Sequence, residues 1–240
     1  MHEQIGIIGS GHLAGFLVEG LRKAAPDLRL LLADPDPERA EGSGSQWGAH
    51  ALPGCQALAD ASDLVILALL PEAVVPACEA VVFRPEQVVA SAAANVPLAR
   101  IAAAVAPASA VRVMPISSAA LIATPTLVYP FHPGVCALFS RLGQVHAMPD
   151  EASFVSASVV TAFHGWIATL VADTVAWATR AGIPGATARN LVLETVRSAV
   201  DTVLAQPDRQ FADLLHESAA SVGIPAQGLE VLQERRGPAT

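Results

Sequence analysis

Short apolar runs recur through the first 150 residues, at Gln4 to Ile8, Leu28 to Ala33, Leu64 to Leu69, Gln87 to Ser91 and Ala110 to Met114. Each is strand-sized, and each is followed by a segment with helical spacing. The alternation predicts parallel strands joined by right-handed crossover helices. Thr126 to Tyr129 and Gln144 to Ala147 read as later strands closing the same domain. After Pro149 the period changes to that of long helices, broken at Gly182 to Gly185, at Gln206 to Asp208 and around Gly223 to Pro225. Asp150 is placed to cap a helix running to Arg180, about 45 Å long at 1.5 Å per residue. Such a helix is too apolar to be solvated all round, and is expected to be the spine of a helical domain packed on a partner chain. The pattern therefore divides the chain into an α/β domain, residues 1–149, and an all-α domain, residues 150–240.

The first strand runs directly into Gly9-Ser10-Gly11-His12-Leu13-Ala14, a GxGxxA turn that opens an amphipathic helix. Gly9 permits the tight turn, Gly11 lets the backbone approach a pyrophosphate, and Ala14 lets the helix settle on the sheet. The anion then lies on the helix N-terminus, where free N–H groups and the helix dipole favour negative charge. Ser10, His12 and Leu13 lie in the same turn, and His12 either lies over the pyrophosphate or faces solvent. Asp34 ends the second apolar run about 20 residues beyond Gly11, where a carboxylate accepts from a ribose 2′-hydroxyl and repels a 2′-phosphate. That favours NAD. Arg39 could still reach a phosphate, the prolines at 35 and 37 could swing Asp34 aside, and the alternative is that Asp34 only caps the turn or helix that follows.

Composition narrows the class. Apolar residues make up 52% of the chain and charged residues 15%, which implies extensive burial and a subunit interface. A net charge of −8 opposes a nucleic-acid partner, which needs a basic face. Cys55, Cys78 and Cys136 are far apart and match no metal spacing, nor do any two histidines, so no metal is expected. The start Met-His-Glu-Gln lacks a basic region before its apolar run, so a cytoplasmic protein is expected. Ser156 to Trp177 is apolar enough to raise a membrane span, but His164 and Asp173 interrupt it and no basic cluster flanks it. A core or interface helix is the expectation, with no membrane partner. Gly42 to Gly48, with Trp47, reads as a flexible loop folded onto the domain. Asp60 and Asp63 read as turn residues, and His132 and His146 as loop or edge-strand residues.

Several segments together resemble pyrroline-5-carboxylate reductase, which reduces a cyclic imine. They are the GSGHLA turn, Val65 to Pro71 with Ala68, Leu69, Leu70 and Pro71 at its end, the small-residue turn Ser91 to Val96 with Ala93 and Ala94, and Val111 to Pro115 ending in Met114-Pro115. Ala181 to Pro184 and Gly228 to Leu232 fall at the spacing of that family's helical dimerisation domain. The resemblance implies a Rossmann-type parallel-sheet domain followed by an all-α dimerisation domain, a homodimer held through the C-terminal helices, and an active site between cofactor and helices. It also implies NADP as cofactor, where Asp34 favours NAD, so NAD(P)H is expected with the choice open. It places cofactor contacts at Ala68 to Pro71, Ala93, Ala94, Met114 and Pro115.

The chain departs from the family pattern on the substrate side. Ile116, followed by Ser117 and Ser118, stands where the family carries asparagine after Met-Pro. Thr161-Ala162-Phe163-His164-Gly165-Trp166 replaces its serine–glycine stretch, and Ser218 to Pro225 its hydroxyl-rich substrate run. Groups that would grip a small carboxylate are mostly gone, which points to a small imine more apolar than pyrroline-5-carboxylate. Imine reduction needs one positioned proton, because an iminium is already electrophilic. His164 is the candidate donor or a buried interface histidine. Ile116, Ser117, Trp166, His216 and Ser218 are candidate substrate contacts, the last two alternatively an exposed helix end. The β-hydroxyacid dehydrogenases share the architecture but need a lysine on the long helix. The only lysine, Lys23, is expected on the first helix facing solvent. The alternative to an imine reductase is a non-catalytic dinucleotide-binding sensor or partner subunit.

Overall fold

The computed structural model describes residues 4–210 and residue 213. The chain separates into two compact units, Met1–Phe163 and His164–Thr240. In the first, the strands are β1 (Gln4–Ile8), β2 (Arg29–Ala33), β3 (His50–Ala51), β4 (Leu64–Leu67), β5 (Val88–Ser91), β6 (Ser109–Met114), β7 (Thr126–Tyr129) and β8 (Val145–Ala147). They form one sheet in the order β3-β2-β1-β4-β5-β6-β7-β8. The strands from β3 to β6 are parallel, β7 runs antiparallel to β6, and β8 is parallel to β7. The expected strands are all present, with the run from Leu64 ending at Leu67. Only β3 went unforeseen, because two residues carry no periodic signal.

The helices of this unit are α1 (His12–Ala24), α2 (Pro37–Trp47), α3 (Cys55–Asp60), α4 (Pro71–Glu79), α5 (Leu98–Val105) and α6 (Pro133–Phe139). Strands buried on both faces read as continuous apolar runs, which is why β1, β2 and β4 were legible. One apolar cluster sets Ile5, Ile7, Leu30 and Leu32 against Leu17, Val18 and Leu21 of α1. The other sets Ile8, Leu31, Val65 and Leu67 against Leu58 of α3, Val74 of α4 and Ile101 of α5. Alternate residues of one strand thus feed opposite faces, as the pleat requires. Gly20 of α1 meets the 3-10 turn Ser117–Leu121, where a Cβ would lie 2.1 Å from the Ala119 carbonyl oxygen. Any larger residue at 20 would force α1 off that turn.

One surface expectation is corrected. Gly42 to Gly48 is no flexible loop: Asp36 Oδ1 accepts from Glu38 N at 3.2 Å, Pro37 starts α2, and left-handed Gly48 ends it. Capping outweighs the poor helix propensity of Gly and Ser here, and Trp47 packs against the core. Lys23 lies on α1 and is exposed, as expected, but it is also tethered. Its ammonium donates to Glu19 Oε1 at 2.6 Å and to the Ala120 carbonyl at 3.0 Å, tying α1 to the 3-10 turn.

The long helix α7 (Glu151–Arg180) starts and stops where expected, with Asp150 Oδ1 accepting from Ser153 N at 2.7 Å. Left-handed Gly182 follows it, and Pro184 caps α8 (Gly185–Leu204). Within one chain most of α7 is exposed, and Phe154 and Ala178 are its only buried residues. Val159, Phe163, Trp166, Leu170 and Trp177 recur on one face of the helix and are all exposed. By length and composition α7 is the one helix among the described residues apolar enough to cross a membrane.

Candidate functional site

The sheet reverses its winding at β1, with β2 on one side and β4 on the other, the place where open α/β sheets bind ligands. A cleft of about 560 Å³ opens there, lined by Gly9 to Leu13, Asp34 to Asp36, Arg39, Ala68 to Leu70 and Ala73. Gly9 has φ +109° and its N–H donates to the Ala33 carbonyl at 2.8 Å. A Cβ at 9 would lie 2.4 Å from the Ala68 carbonyl oxygen, so the turn needs glycine for both torsion and space. Gly11 differs: nothing of the protein lies within 4 Å of where its Cβ would be. Neither torsion nor space in the fold requires glycine at 11. Gly11 also N-caps α1 without a side-chain cap, and the first turn holds no acidic residue. A helix start left open in this way suits an anion.

Asp34 is buried and tied to the turn. Its Oδ2 accepts from Ser10 N at 2.8 Å and Ser10 Oγ at 2.7 Å, and its Oδ1 accepts from Asp36 N at 3.0 Å. Burial pushes the carboxyl up. The hydrogen bonds from Ser10 Oγ, Asp36 N and Ser10 N, with the Arg39 charge, outweigh that and hold it below the usual carboxylate value. The two readings of Asp34, turn cap and ribose acceptor, are therefore compatible. It braces the turn, and it keeps negative charge in the cleft wall. The same carboxylate raises the half-buried Cys55 thiol, second to burial.

Gly9, Ser10, Gly11, His12, Leu13, Asp34, Ala68, Leu69 and Leu70 are thus brought together in one cleft, with His12 and Leu70 exposed in it. Pro71, Ala93, Ala94, Met114 and Pro115 do not line it. Pro71 begins α4, Ala93 is buried and Ala94 exposed in the turn after β5, and Met114 and Pro115 end β6. Those positions continue along the same C-terminal edge of the sheet. Ile116 donates its N–H to Thr124 Oγ1 at 2.9 Å, and exposed Ser117 opens the 3-10 turn. His164 and Trp166 belong to the second unit, at exposed positions of α7, so His164 is not buried within one chain. His216 and Ser218 lie outside the described residues.

Sequence reasoning missed Pro35, Asp36 and Ala73 as lining residues. It also missed a group formed by Arg112, Glu151 and Phe154. Arg112 stands in an otherwise apolar strand and is 3% exposed, and a charge in such a strand signals a buried partner. Its Nη1 donates to Glu151 Oε1 at 2.8 Å, and its guanidinium lies 4.5 Å from the Phe154 ring centroid.

Two family models match in succession. Residues 4–95 match a family described as NADP oxidoreductase, coenzyme F420-dependent, and residues 151–240 match pyrroline-5-carboxylate reductase dimerisation. A pyrroline-5-carboxylate reductase of Pseudomonas aeruginosa is 32% identical over 123 residues, 49% of this chain. In these two successive segments the chain is similar to pyrroline-5-carboxylate reductase-like oxidoreductases. The aligned segment spans 45% of that relative's length. Among solved structures, the 1-pyrroline-5-carboxylate reductase of Streptococcus pyogenes superposes with TM-score 0.86 at 23% identity, covering 96% of this chain and 90% of that one. The pyrroline carboxylate reductase of Plasmodium falciparum, solved with NADP bound, gives TM-score 0.83 at 16% identity, covering 96% and 89%. At these identities the superpositions show the fold alone: a Rossmann-type α/β domain followed by a helical domain.

Proposed function

We propose that this chain is a cytoplasmic, homodimeric NAD(P)H-dependent reductase of the C=N bond of a small imine, one more apolar than pyrroline-5-carboxylate. The observation that carries the reading is the open, uncapped start of α1 beneath Gly11, whose missing Cβ the fold itself does not need. Gly9 to Leu13 would hold the pyrophosphate, and Asp34 with Ala68 to Pro71 the adenosine side. Ala93, Ala94, Met114 and Pro115, at the ends of β5 and β6, would flank the nicotinamide side. The buried, ionised Asp34 would repel a 2′-phosphate and so prefer NADH over NADPH.

When bound, the reduced nicotinamide supplies the hydride to the imine carbon. The chain's own residues orient the acceptor, exclude water and hold the proton that ends on the imine nitrogen. His164 is the donor in this reading. Ile116, Ser117, Trp166, His216 and Ser218 are the proposed substrate contacts. Residues 1–149 would serve the cofactor, and residues 150–240 the dimer and substrate. The match to the dimerisation domain supports assembly through the C-terminal helices, and the exposed stripe on α7 supplies the apolar surface to be covered.

The test is a screen of cyclic imines with NADH and with NADPH, followed by nicotinamide absorbance, on the wild type and His164→Ala. Turnover that collapses in His164→Ala with cofactor affinity unchanged supports the reading. Cofactor binding without turnover of any imine favours a second reading, a dinucleotide-binding sensor or partner subunit without catalysis. Ile116 favours that second reading, since its N–H is turned inward to Thr124 and its side chain offers no polar group.

A further inference from the structure

Glu151 is the first residue of α7, and its carboxylate is shared between two elements of the sheet domain. Oε1 accepts from Arg112 Nη1 of β6 at 2.8 Å and from the backbone N–H of Leu98, first residue of α5, at 2.6 Å. Leu98 closely follows the small-residue turn after β5, and Arg112 sits two residues before Met114 at the end of β6. The two strands are in register there, with Ser91 opposite Arg112. One oxygen atom thus fixes the spacing between the two segments that run onto the sheet edge beyond β4. Asp34 and the glycine turn lie on the other side of that edge, toward β2.

The guanidinium has few other supports. Arg112 Nε is buried with no hydrogen-bond partner among the described residues, and the guanidinium lies 4.5 Å from the Phe154 ring centroid. A buried guanidinium tolerates poorly the loss of its single carboxylate, so the arrangement is held stiffly in one geometry. Phe154 is itself fully buried and on the same helix as Glu151, which fixes the carboxylate's approach.

We propose that Glu151 is a positioning residue for the nicotinamide end of the cofactor. Through Leu98 and Arg112 it sets the separation of the Ala93–Ala94 turn and the Met114–Pro115 strand end, without touching either cofactor or substrate. This rests on the dinucleotide reading given above. The adenosine and pyrophosphate half of the cleft is built by β1, α1 and β2 and does not depend on it.

The experiment compares the affinity of the full-length protein for NADH with that for ADP-ribose, which keeps the adenosine and pyrophosphate and lacks the nicotinamide. Glu151→Gln keeps shape but removes the charge that compensates Arg112. It is expected to weaken NADH about tenfold while leaving ADP-ribose within about twofold. Glu151→Asp retains the charge, which protects the fold, but withdraws the oxygen by one methylene so that it cannot serve both donors. It is expected to show the same selective loss if Glu151→Gln fails to fold. Equal weakening of both ligands, or no change in either, would overturn the proposal while leaving the dinucleotide reading intact. A wild type that binds neither ligand would remove the dinucleotide reading itself, and this proposal with it.

Discussion

In the sheet-bearing unit Ile5, Leu17, Leu32, Ile66 and Val113 are each 0% exposed, whereas along α7 Val159, Trp166, Leu170 and Trp177 expose 59%, 60%, 62% and 63%. Both regions are rich in apolar residues, yet only one closes a core of its own. In the first, successive residues of the central strands alternate between two helical layers, so their apolar side chains are covered by the same chain. In α7 the apolar positions form a largely exposed stripe at helical spacing. An exposed apolar stripe of that size marks an interaction surface. The sheet region thus buries its apolar side chains within one copy, whereas α7 leaves an apolar stripe exposed, the surface that the proposed dimer would cover.

The sharpest way to break this contrast is to charge the stripe. Val159→Asp combined with Leu170→Asp buries two unpaired carboxylates in any helix–helix interface and is expected to raise the dimer dissociation constant at least ~100-fold. Light scattering reads the result. A variant of unchanged mass would show that the stripe is not the interface. In the same variant ADP-ribose binding is expected to survive, because its half of the cleft is built within the first unit.

A smaller effect is expected at Asp34. Its native carboxyl is held below the usual value, so it contributes stability that is present above the unfolded pKa of about 3.9 and lost as pH falls through the folded value. Asp34→Asn puts an amide where two donors of Ser10 converge, costing about 1–2 kcal/mol near neutral pH. The gap to wild type should narrow progressively as the pH is taken down through 4 toward 3. Urea unfolding at both ends of that range checks it, and a gap of constant size contradicts the ionised, braced Asp34. On the proposed reading the variant also discriminates less between NADH and NADPH than the wild type.

The smallest effect is at Cys78. Burial first, then the neighbouring Cys55 and Glu79, push its thiol up to about 12. A disulfide reagent near pH 8 should leave Cys78 unmodified in the folded protein and react after denaturation. Rapid labelling of the native state would show that the second core cluster opens far more readily than its packing implies.

Much of the fold was legible because its elements obey simple periods. β1, β2 and β4 are buried on both faces and read as unbroken apolar runs. α7 announced both ends, through Asp150 at the start and Gly182 with Pro184 after the stop. α2 was missed because its Gly, Ser and Gln content hides a helix that Asp36, Pro37 and Gly48 define from its ends. The antiparallel turn of β7 was invisible, since strand direction is set by the connection and leaves no periodic mark. At the site, Gly9, Gly11 and Asp34 were legible because spacing alone constrains them. The link from Glu151 to Arg112 and Leu98 was not, because it joins residues far apart in sequence that only the tertiary fold brings within 3 Å.

The central claim, that the turn at residues 9–14 is shaped by a dinucleotide and not only by the fold, is tested most directly by Gly11→Ala. A methyl group at 11 meets no protein atom within 4 Å, so the melting temperature should stay at the wild-type value. The same methyl intrudes where the pyrophosphate must approach, so titration with NADH should show affinity reduced at least ~10-fold. Unchanged NADH affinity in a folded Gly11→Ala protein would contradict the account.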